Sequence, residues 1–258
     1  MLSEITPVIL TFNEAPNIER TLAMLAWARS IVVVDSYSTD NTLALLKAEP
    51  RVRLFQHKFD SHAAQWTFAV GETGIATPWI LALDADYVLS PALVAELGAL
   101  QPDPGIDAYR ARFEFYVRGR RLWGSLYPPV AVLFRRGRAA YVQDGHAQRL
   151  QVTGAVGELR APIAHDDRKP FAHWRKAQRR YAELEARKLR DTPWASLRWP
   201  DRLRRLIVVA PVAVPFYCLV LRGGLVQGVP GWTYAFQRTW SEIAIVWALL
   251  RRERGDGL

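Results

Sequence analysis

Three aspartates directly follow apolar runs that are typical of buried β-strands. Residues 79–83 lead into Asp84 and Asp86, and residues 31–34 lead into Asp35. An extended chain advances about 3.3 Å per residue with alternating side chains, so Asp84 and Asp86 project to the same side, roughly 6–7 Å apart at the backbone. In open α/β sheets, ligands bind beyond the carboxyl ends of the strands. This pair of carboxylates is therefore suited to hold a hard cation and the diphosphate that the cation neutralises.

Three ordered motifs resemble the nucleotide-binding half of an inverting family-2 glycosyltransferase. They are residues 7–14 (PVILTFNE), residues 31–40 (IVVVDSYSTD) and residues 83–86 (LDAD). The order and spacing match from Val8 to Leu97, and the first two motifs are most similar to those of bacterial lipopolysaccharide-core glucosyltransferases. The resemblance implies a GT-A-like fold and the inverting transfer of a sugar from a nucleotide-diphosphate donor, usually a UDP-sugar.

The resemblance also implies a role for the polar residues of these motifs. The residues after the first strand line the nucleoside, Asp35 binds the edge of the base, Asp84 meets the ribose and Asp86 meets the metal. Carboxylate, water and phosphate oxygens favour Mg²⁺ or Mn²⁺ as that metal. Asn13 and Glu14 have an ordinary alternative as the cap and dipole partner of the first helix. The residues implied to bind the donor are Thr11, Asn13, Glu14, Asp35, Gln65, Asp84 and Asp86.

Two regions depart from the pattern of the related enzymes. In the helix before the Asp-x-Asp strand, Gln65 matches, whereas Ala64 and Thr67 replace a basic residue and an asparagine. Tyr87 stands where relatives commonly carry glutamate. These differences leave the donor sugar open but not the reaction class. The sequence has no glycine-rich phosphate loop of the kind that indicates a kinase, an ATPase or a dehydrogenase.

The catalytic base is predicted in the second half of the chain. Family members carry an acid, often beside a histidine, after the strand that bears an arginine-rich turn, and residues 141–146 (YVQDGH) occupy that place. The resemblance therefore implies that Asp144 accepts the proton of the acceptor hydroxyl, since an aspartate is ionised at neutral pH. His146 is the alternative base or an orienting partner. The ordinary alternative for Asp144 and Gly145 is a turn.

Six further residues are candidates for contacts with the acceptor or with phosphate groups. Aromatic rings can stack on a sugar, arginines can bind anionic groups, and a His-Asp cluster can serve either ligand. Each type also has an ordinary role in core packing or in a solvated turn. The candidates are Trp123, Tyr127, Arg135, Arg136, His165 and Asp166.

Charge is distributed unevenly along the 258 residues. Residues 1–100 contain 6 Lys and Arg against 11 Asp and Glu, whereas residues 101–258 contain 28 against 14. A basic, tryptophan-rich half can face an anionic membrane or a nucleic acid. Because the aromatic residues flank apolar runs instead of alternating with basic residues, we expect no nucleic-acid partner. The single Cys218 excludes a disulfide framework.

The periodicity of the first hundred residues predicts a mainly parallel α/β sheet flanked by helices. Strands are expected at residues 8–12, 31–35, 51–55 and 79–83, and helices at residues 17–28, 42–48, 63–71 and 91–100. Further strands are expected at residues 108–117 and 130–134, with a long basic helix at residues 171–189. We predict a nucleotide-sugar-binding half (1–100), an acceptor half (101–190) and a helical amphipathic extension (191–258).

The extension contains apolar runs at residues 206–221 and 243–250, both bordered by arginines. Pro211 and Pro215 interrupt the first run, and spanning a bilayer takes about 20 apolar residues in one helix. The pattern favours helices that lie on an anionic membrane surface. A hairpin packed on the protein core, or a homo-oligomer interface, remains the alternative.

Together these features predict an enzyme at the inner face of the cytoplasmic membrane, because the first residues lack the pattern of a signal peptide. The expected acceptor is a lipid-linked saccharide such as a lipopolysaccharide core. Polyprenyl phosphate is an alternative acceptor, and a non-catalytic membrane-binding module is the alternative from another functional class.

Overall fold

The computed structural model describes residues 1–145 and 147–253. The chain divides into two compact units. The first comprises Met1–Tyr116, Tyr127–Gln143 and Gln148–Arg168, and the second comprises Val117–Leu126, Asp144–Ala147 and the chain from Lys169 onward. This division by compactness does not test the predicted division by function at residues 100 and 190, which stays a prediction.

The first unit is built on a seven-stranded sheet with the order β12-β6-β9-β4-β1-β2-β3. Strands β3, β2, β1 and β4 run parallel to one another, while β9 runs antiparallel to both β4 and β6. The predicted mainly parallel α/β sheet is therefore confirmed. The strands are β1 (Ile5–Thr11), β2 (Ile31–Asp35), β3 (Val52–Gln56), β4 (Trp79–Asp84), β6 (Ile106–Ala111), β9 (Val130–Arg135) and β12 (Ala155–Glu158).

Both faces of this sheet are covered by apolar side chains. Because side chains alternate along a strand, Ile9 and Leu81 belong to one buried cluster while Val8 and Ile80 belong to the other. Four helices of the first unit follow the predicted strand–helix alternation. They are α1 (Ile18–Ala23), α2 (Thr42–Ala48), α3 (His62–Gly71) and α4 (Pro91–Ala99).

Helix boundaries follow local capping chemistry. The Ser90 hydroxyl accepts a hydrogen bond from the Leu93 amide, with Pro91 in the first turn, as the sequence predicts. Helix α1 ends earlier than predicted, at Ala23, because the chain continues in three-residue turns in which the amides of Leu25 and Ala28 donate to carbonyls three residues back. These turns bury both side chains.

A second sheet starts immediately after the Asp-x-Asp motif. Its strand β13 (Ile163–His165) runs antiparallel to β5 (Tyr87–Leu89) and parallel to β7 (Phe113–Val117). The predicted strand at residues 108–117 is therefore two strands, since the chain passes from β6 of the main sheet into β7 of this one. The remaining strands are β8 (Arg120–Arg121) and the pair β10 (Ala139–Asp144) and β11 (Ala147–Val152).

The second unit is mainly helical. Its helices are α5 (Phe171–Asp191), α6 (Trp199–Arg205), α7 (Val209–Phe216) and α8 (Val229–Glu253), and a π-helical turn (Tyr217–Leu221) continues α7. Helix α8 packs against α5 and α7. It begins well before the predicted apolar run at residues 243–250, because tertiary packing overrides the weak helix propensity of residues such as Gly231 and Thr233. Within the described residues, no helix combines the length and apolar character needed to span a bilayer.

Candidate active site

The carboxyl end of β4 brings the Asp-x-Asp motif beside a histidine. Asp84 is the last residue of β4, and the carboxylate Oδ2 of Asp86 lies 3.2 Å from Nε2 of His165. Burial of the ring opposes its protonation, but the charge of Asp86, its hydrogen bond and the charge of Asp84 outweigh burial and raise the pKa of His165. The pair is largely buried, so the attraction between the two groups is little screened by solvent.

Four aromatic rings surround the imidazole of His165. The ring centroids of Phe115, Tyr127 and Tyr87 lie 4.7, 4.9 and 5.2 Å from that of His165, and the centroid of Phe113 lies 6.5 Å away. The hydroxyls of Tyr87 and Tyr127 are hydrogen-bonded to each other. Burial and the nearby carboxylates raise the pKa of Tyr87 well above its ordinary value, so its phenol stays neutral. This aromatic wall fixes the orientation of the imidazole.

Asp166 anchors the end of β13 and so holds His165 in place. Its amide donates to the backbone carbonyl of Asp86 over 3.1 Å. Its carboxylate Oδ2 lies 2.8 Å from Nη1 of Arg20 and 2.9 Å from Nη2 of Arg168. The structure thus gives Asp166 an internal partner for its charge. Contact of Asp166 with phosphate or acceptor stays a prediction.

The ends of β1 and β2 are joined through a buried carboxylate. Asp35 is fully buried, and it accepts hydrogen bonds from the Thr11 hydroxyl (2.8 Å) and from the amide (2.8 Å) and hydroxyl of Ser38. Thr11 and Asp35 are also partners in the β1–β2 register. These bonds fix the loop after β2. The predicted contact of Asp35 with a nucleotide base stays a prediction.

Asn13 links the loops that follow β1 and β2. Its backbone has a positive φ of 55°, its amide donates to the Ser38 hydroxyl, and its side-chain oxygen accepts from the Thr39 amide, each over 2.8 Å. A left-handed asparagine of this kind is held by its surroundings, and such residues concentrate at functional sites. The predicted neighbours Thr11, Asn13 and Asp35 are therefore brought together.

Glu14 is buried at the start of the turn that leads into α1. Its amide donates to the Thr42 hydroxyl over 2.8 Å, and its carboxylate accepts from Asn17 Nδ2 over 2.8 Å. The same Asn17 nitrogen donates to Asp167 over 2.9 Å. Helix α1 has Asn17 as its N-cap, so Glu14 precedes the helix and does not cap it. The predicted contact of Glu14 with the donor stays a prediction.

Gln65 is a buried cross-link of the loops. Its side-chain nitrogen donates to the Ser36 hydroxyl (3.0 Å) and to the His57 carbonyl (3.1 Å), while its oxygen lies 2.8 Å from Nδ1 of His57. The residue therefore supports the segments after β2 and β3 from α3. Its contact with the donor stays a prediction.

Asp144, the predicted base, belongs to the second unit. Its carboxylate lies 2.7 Å from the Lys188 ammonium on α5, and that ammonium also lies 3.0 Å from Asp201. Burial lowers the pKa of Lys188, but the two carboxylates outweigh burial and raise it, so the lysine stays charged. The ion pair keeps Asp144 in a defined place. Its catalytic role stays a prediction, and the alternative base His146 lies outside the described residues.

The acceptor candidates are separated by the structure. Tyr127 lies at the aromatic wall beside His165, whereas Trp123 belongs to the second unit and is exposed. Arg135 pairs in register with Trp79 at the amino end of β4, and Arg136 donates to the backbone carbonyl of Thr77 over 3.2 Å. Asp84 lies at the other end of β4, about 16 Å further along the strand. Both arginines are therefore at the end of the sheet opposite to the carboxylates. The structure does not bring them to the carboxylates.

Residues 6–161 match the family model described as glycosyl transferase family 2. The chain belongs to glycosyltransferase family 2. The matched region contains the Asp84 and Asp86 pair and the loops after β1 and β2, and it ends shortly before His165. The predicted α/β fold is thus confirmed as that of a glycosyltransferase domain.

Individual relatives agree with this assignment. An uncharacterized glycosyltransferase of Rickettsia bellii (strain RML369-C) is 32% identical over 112 residues, which cover 43% of this chain and 37% of that protein. The match thus spans little more than a third of the relative's length. The structure of S. aureus TarS (residues 1–349) in complex with UDP-GlcNAc matches with a TM-score of 0.52 at 12% identity, covering 97% of this chain and 92% of that chain. At this identity the match shows the fold alone.

A divalent cation fits the Asp86 and His165 pair of this family-2 member. Adjacent ligands of an octahedral ion with bonds of about 2.1 Å lie about 3 Å apart, and Oδ2 and Nε2 are 3.2 Å apart. Among residues 1–145 and 147–253, no three His, Cys, Asp or Glu side chains converge as a complete site. An ion bound here would therefore take its remaining ligands from substrate phosphates and water, as Mg²⁺ commonly does.

The sequence places His165 beside Asp166 but does not indicate its contact with Asp86. No local signal could reveal it, because the pairing of β13 with β5 joins distant parts of the chain. Two exposed rings are also absent from the predicted site. Phe12 and Tyr37 follow the ends of β1 and β2, and Tyr37 has a positive φ of 60°. The sequence does contain a signal for both rings, since each is an aromatic residue within two positions of the end of its strand.

Proposed function

We propose that this chain is a metal-dependent, inverting glycosyltransferase that moves a sugar from a UDP-sugar to a lipid-linked saccharide. One observation carries the proposal: in a family-2 domain, a carboxylate and an imidazole lie 3.2 Å apart beyond the carboxyl end of β4. Ligands of α/β sheets bind in this place. The similarity in fold to TarS, whose structure was determined with UDP-GlcNAc, supports a uridine nucleotide.

The nucleoside is proposed to bind at the loops after β1 and β2. Asn13 fixes these loops to each other, and each loop exposes one aromatic ring, Phe12 or Tyr37. An aromatic ring can stack on a base, and a stacking contact contributes on the order of 1–3 kcal/mol. Thr11 and Asp35 hold the loops from below. In this arrangement the base meets a preformed surface.

Asp86 and His165 would hold Mg²⁺ or Mn²⁺ against the diphosphate, and Asp84 would meet the ribose. When bound, the cation supplies positive charge that stabilises the departing diphosphate. The negative charge of Asp84 and Asp86 favours a cation at this place, and a cation bound at Nε2 would replace the proton of His165. The aromatic wall around His165 keeps the imidazole oriented.

Inversion requires one displacement at the anomeric carbon. The acceptor oxygen forms a bond to this carbon, the bond from the carbon to the diphosphate oxygen breaks, and the hydroxyl proton passes to a base. Asp144 is the proposed base. Its carboxylate is held in place by the Lys188 ammonium, 2.7 Å away.

The proposed acceptor is a saccharide on a lipid, such as a lipopolysaccharide core, at the inner face of the cytoplasmic membrane. The basic second half of the chain supports this choice. Polyprenyl phosphate is the alternative acceptor. Both acceptors place the reaction at a lipid surface.

Thermal-shift measurements with nucleotide sugars, with and without Mn²⁺, test the proposal. We expect a UDP-sugar together with Mn²⁺ to raise the melting temperature more than either alone, since a ligand that binds only the native state stabilises it. Asp86→Asn should remove this synergy, while Asp103→Asn, an exposed acid in another turn, should keep it. Stabilisation that is unaffected by Mn²⁺ and by chelator would contradict the metal-dependent function.

A further inference from the structure

Helix α8 has two apolar faces, and the second unit covers only one of them. Ala235, Ile245 and Leu249 are buried, and α8 packs on α5 and α7. Seven large apolar side chains of the same helix are between 37% and 62% exposed. They are Val229, Trp232, Phe236, Trp240, Ile243, Trp247 and Leu250.

The exposed side chains form one continuous stripe. They follow one another at intervals of three or four residues, which places them on a single side of a helix. At 1.5 Å per residue, the stripe is about 30 Å long. Three of its seven members are tryptophans, which are enriched where an apolar region meets water and headgroups.

The neighbouring segments extend the exposed apolar area. Helix α7 and the connection to α8 expose large apolar side chains at Val209, Val212, Phe216, Val220, Leu221, Leu225 and Val226. Trp123, 71% exposed, lies beside Gly223 in this connection. The Leu126 amide donates to the Tyr234 hydroxyl over 2.7 Å, which fixes the segment of Trp123 to α8. We name these residues, together with the stripe, the exposed apolar surface.

Positive charge accompanies this surface. Between Lys169 and Glu253 the chain has 16 Lys and Arg against 6 Asp and Glu. Arg222 is exposed in the connection, and Arg251 is exposed directly after the last residue of the stripe. Two of the acids are used internally, since Arg204 forms ion pairs with Asp201 and Glu242. The net charge available to a partner is therefore positive.

We propose that the exposed apolar surface lies on an anionic lipid bilayer, with its tryptophans at headgroup depth and its arginines on lipid phosphates. Charge complementarity favours lipid over a second copy of the chain, because two copies would bring together two basic units. The several exposed segments also form a broad area, not the narrow seam of a helix pair. The inference extends the proposed function, and it rests on that function only for the choice of a lipid-linked acceptor.

Vesicle co-sedimentation of the full chain tests the proposal. We expect binding to phosphatidylcholine vesicles with added phosphatidylglycerol to be clearly stronger than binding to phosphatidylcholine alone. Trp232→Gln should weaken binding roughly tenfold through the loss of apolar contact. The matched control is Trp194→Gln, because Trp194 is 47% exposed and Trp232 is 52% exposed. The control should stay within about twofold of wild type, since Trp194 lies outside the exposed apolar surface.

The contribution of arginine charge to vesicle binding and the depth of the tryptophans in the bilayer can be measured separately. Arg251→Gln should lower the affinity for anionic vesicles about fivefold and leave binding to neutral vesicles unchanged. Brominated lipids should quench the tryptophan fluorescence of the wild-type protein, which keeps the test decisive even if a variant fails to fold.

Two results would overturn the inference. One is a wild-type protein that binds neither kind of vesicle. The other is a dimer in light scattering that Trp232→Gln converts to a monomer, without vesicle binding, which would identify the surface as an interface between copies. Because the assay contains no donor, its failure is distinguishable from failure of the proposed reaction, which donor hydrolysis in solution reports.

Discussion

The two units of the chain place their apolar side chains in opposite ways. Of the exposed large apolar residues among the described part of the chain, the first unit has three and the second has twenty. In the first unit, the strands are covered on both faces, and the exposed rings Phe12 and Tyr37 follow the ends of β1 and β2. The first unit is thus a sheet that positions charged groups, whereas the second is a helical unit with many exposed apolar side chains.

Charge follows the same division. The first unit concentrates carboxylates at the carboxyl ends of its parallel strands, where Asp84 ends β4 and Asp86 lies beside His165. The second unit carries most of the arginines, and its acids Asp144, Asp201 and Glu242 form internal ion pairs. Experiments can therefore ask whether the donor site lies in the first unit, and whether the second unit provides the base Asp144 as well as attachment to a membrane.

The largest expected effect belongs to the first unit. Asp86→Asn should reduce transfer or donor hydrolysis by about a thousandfold, because it removes a ligand of a charge-stabilising cation. Thermal stability should fall modestly, because the amide keeps the shape of the side chain but removes the charge that faces His165. Steady-state rates with Mn²⁺ measure the loss of activity, and a melting curve measures the change in stability. Asp103→Asn is the control for both. Full activity of the variant would contradict the proposed cation site in the first unit.

Asp144 tests whether the second unit also contributes chemistry. Asp144→Asn should lower the transfer rate by about a hundredfold or more while donor affinity stays near that of wild type, as expected for a group that acts in the transition state. The control Asp191→Asn changes an exposed acid at the end of α5. A loss of only a few fold would move the role to His146, Asp166 or Asp167. Assignment to Asp166 or Asp167 would leave the second unit with attachment alone.

Asp144 and His165 also mark the limits of prediction from sequence. The strands that end at Asp35 and Asp84 were predictable because buried parallel strands are continuous apolar runs followed by polar residues. The contact between Asp86 and His165 was not, because it depends on the pairing of β13 with β5. The opposite placement of Arg135 likewise follows from an antiparallel strand, β9, whose register the sequence does not specify.

Stability of the second unit should depend on a buried ion pair. The guanidinium of Arg204 lies 2.9 Å from the buried carboxylate of Glu242. Burial opposes the charge of Arg204, but the bond to Glu242 outweighs it and raises the arginine's pKa. Arg204→Met should cost about 3 kcal/mol because it leaves a buried carboxylate unpaired.

Chemical denaturation of the Arg204→Met protein measures this loss. The double variant Arg204→Met with Glu242→Leu should recover most of it, since removing both charges leaves no unpaired group. Equal stability of wild type and the single variant would show that the ion pair does not stabilise the helices.

The smallest effect is expected at Asp35. Asp35→Ala should weaken UDP binding about tenfold, because the Thr11 and Ser38 bonds that shape the nucleoside loops are lost. Calorimetry with UDP and GDP measures the change, and Asp40→Asn is the control for an acid in the same loop. Unchanged affinity for both nucleotides would show that these bonds do not shape the nucleotide site.

Anomalous diffraction from crystals soaked with Mn²⁺ and UDP tests the central claim most directly. We expect one Mn²⁺ peak within bonding distance of both Asp86 Oδ2 and His165 Nε2, with UDP phosphate oxygens completing its ligands. Nucleotide bound at the loops after β1 and β2 with Mn²⁺ absent from this pair, or located elsewhere, would contradict it.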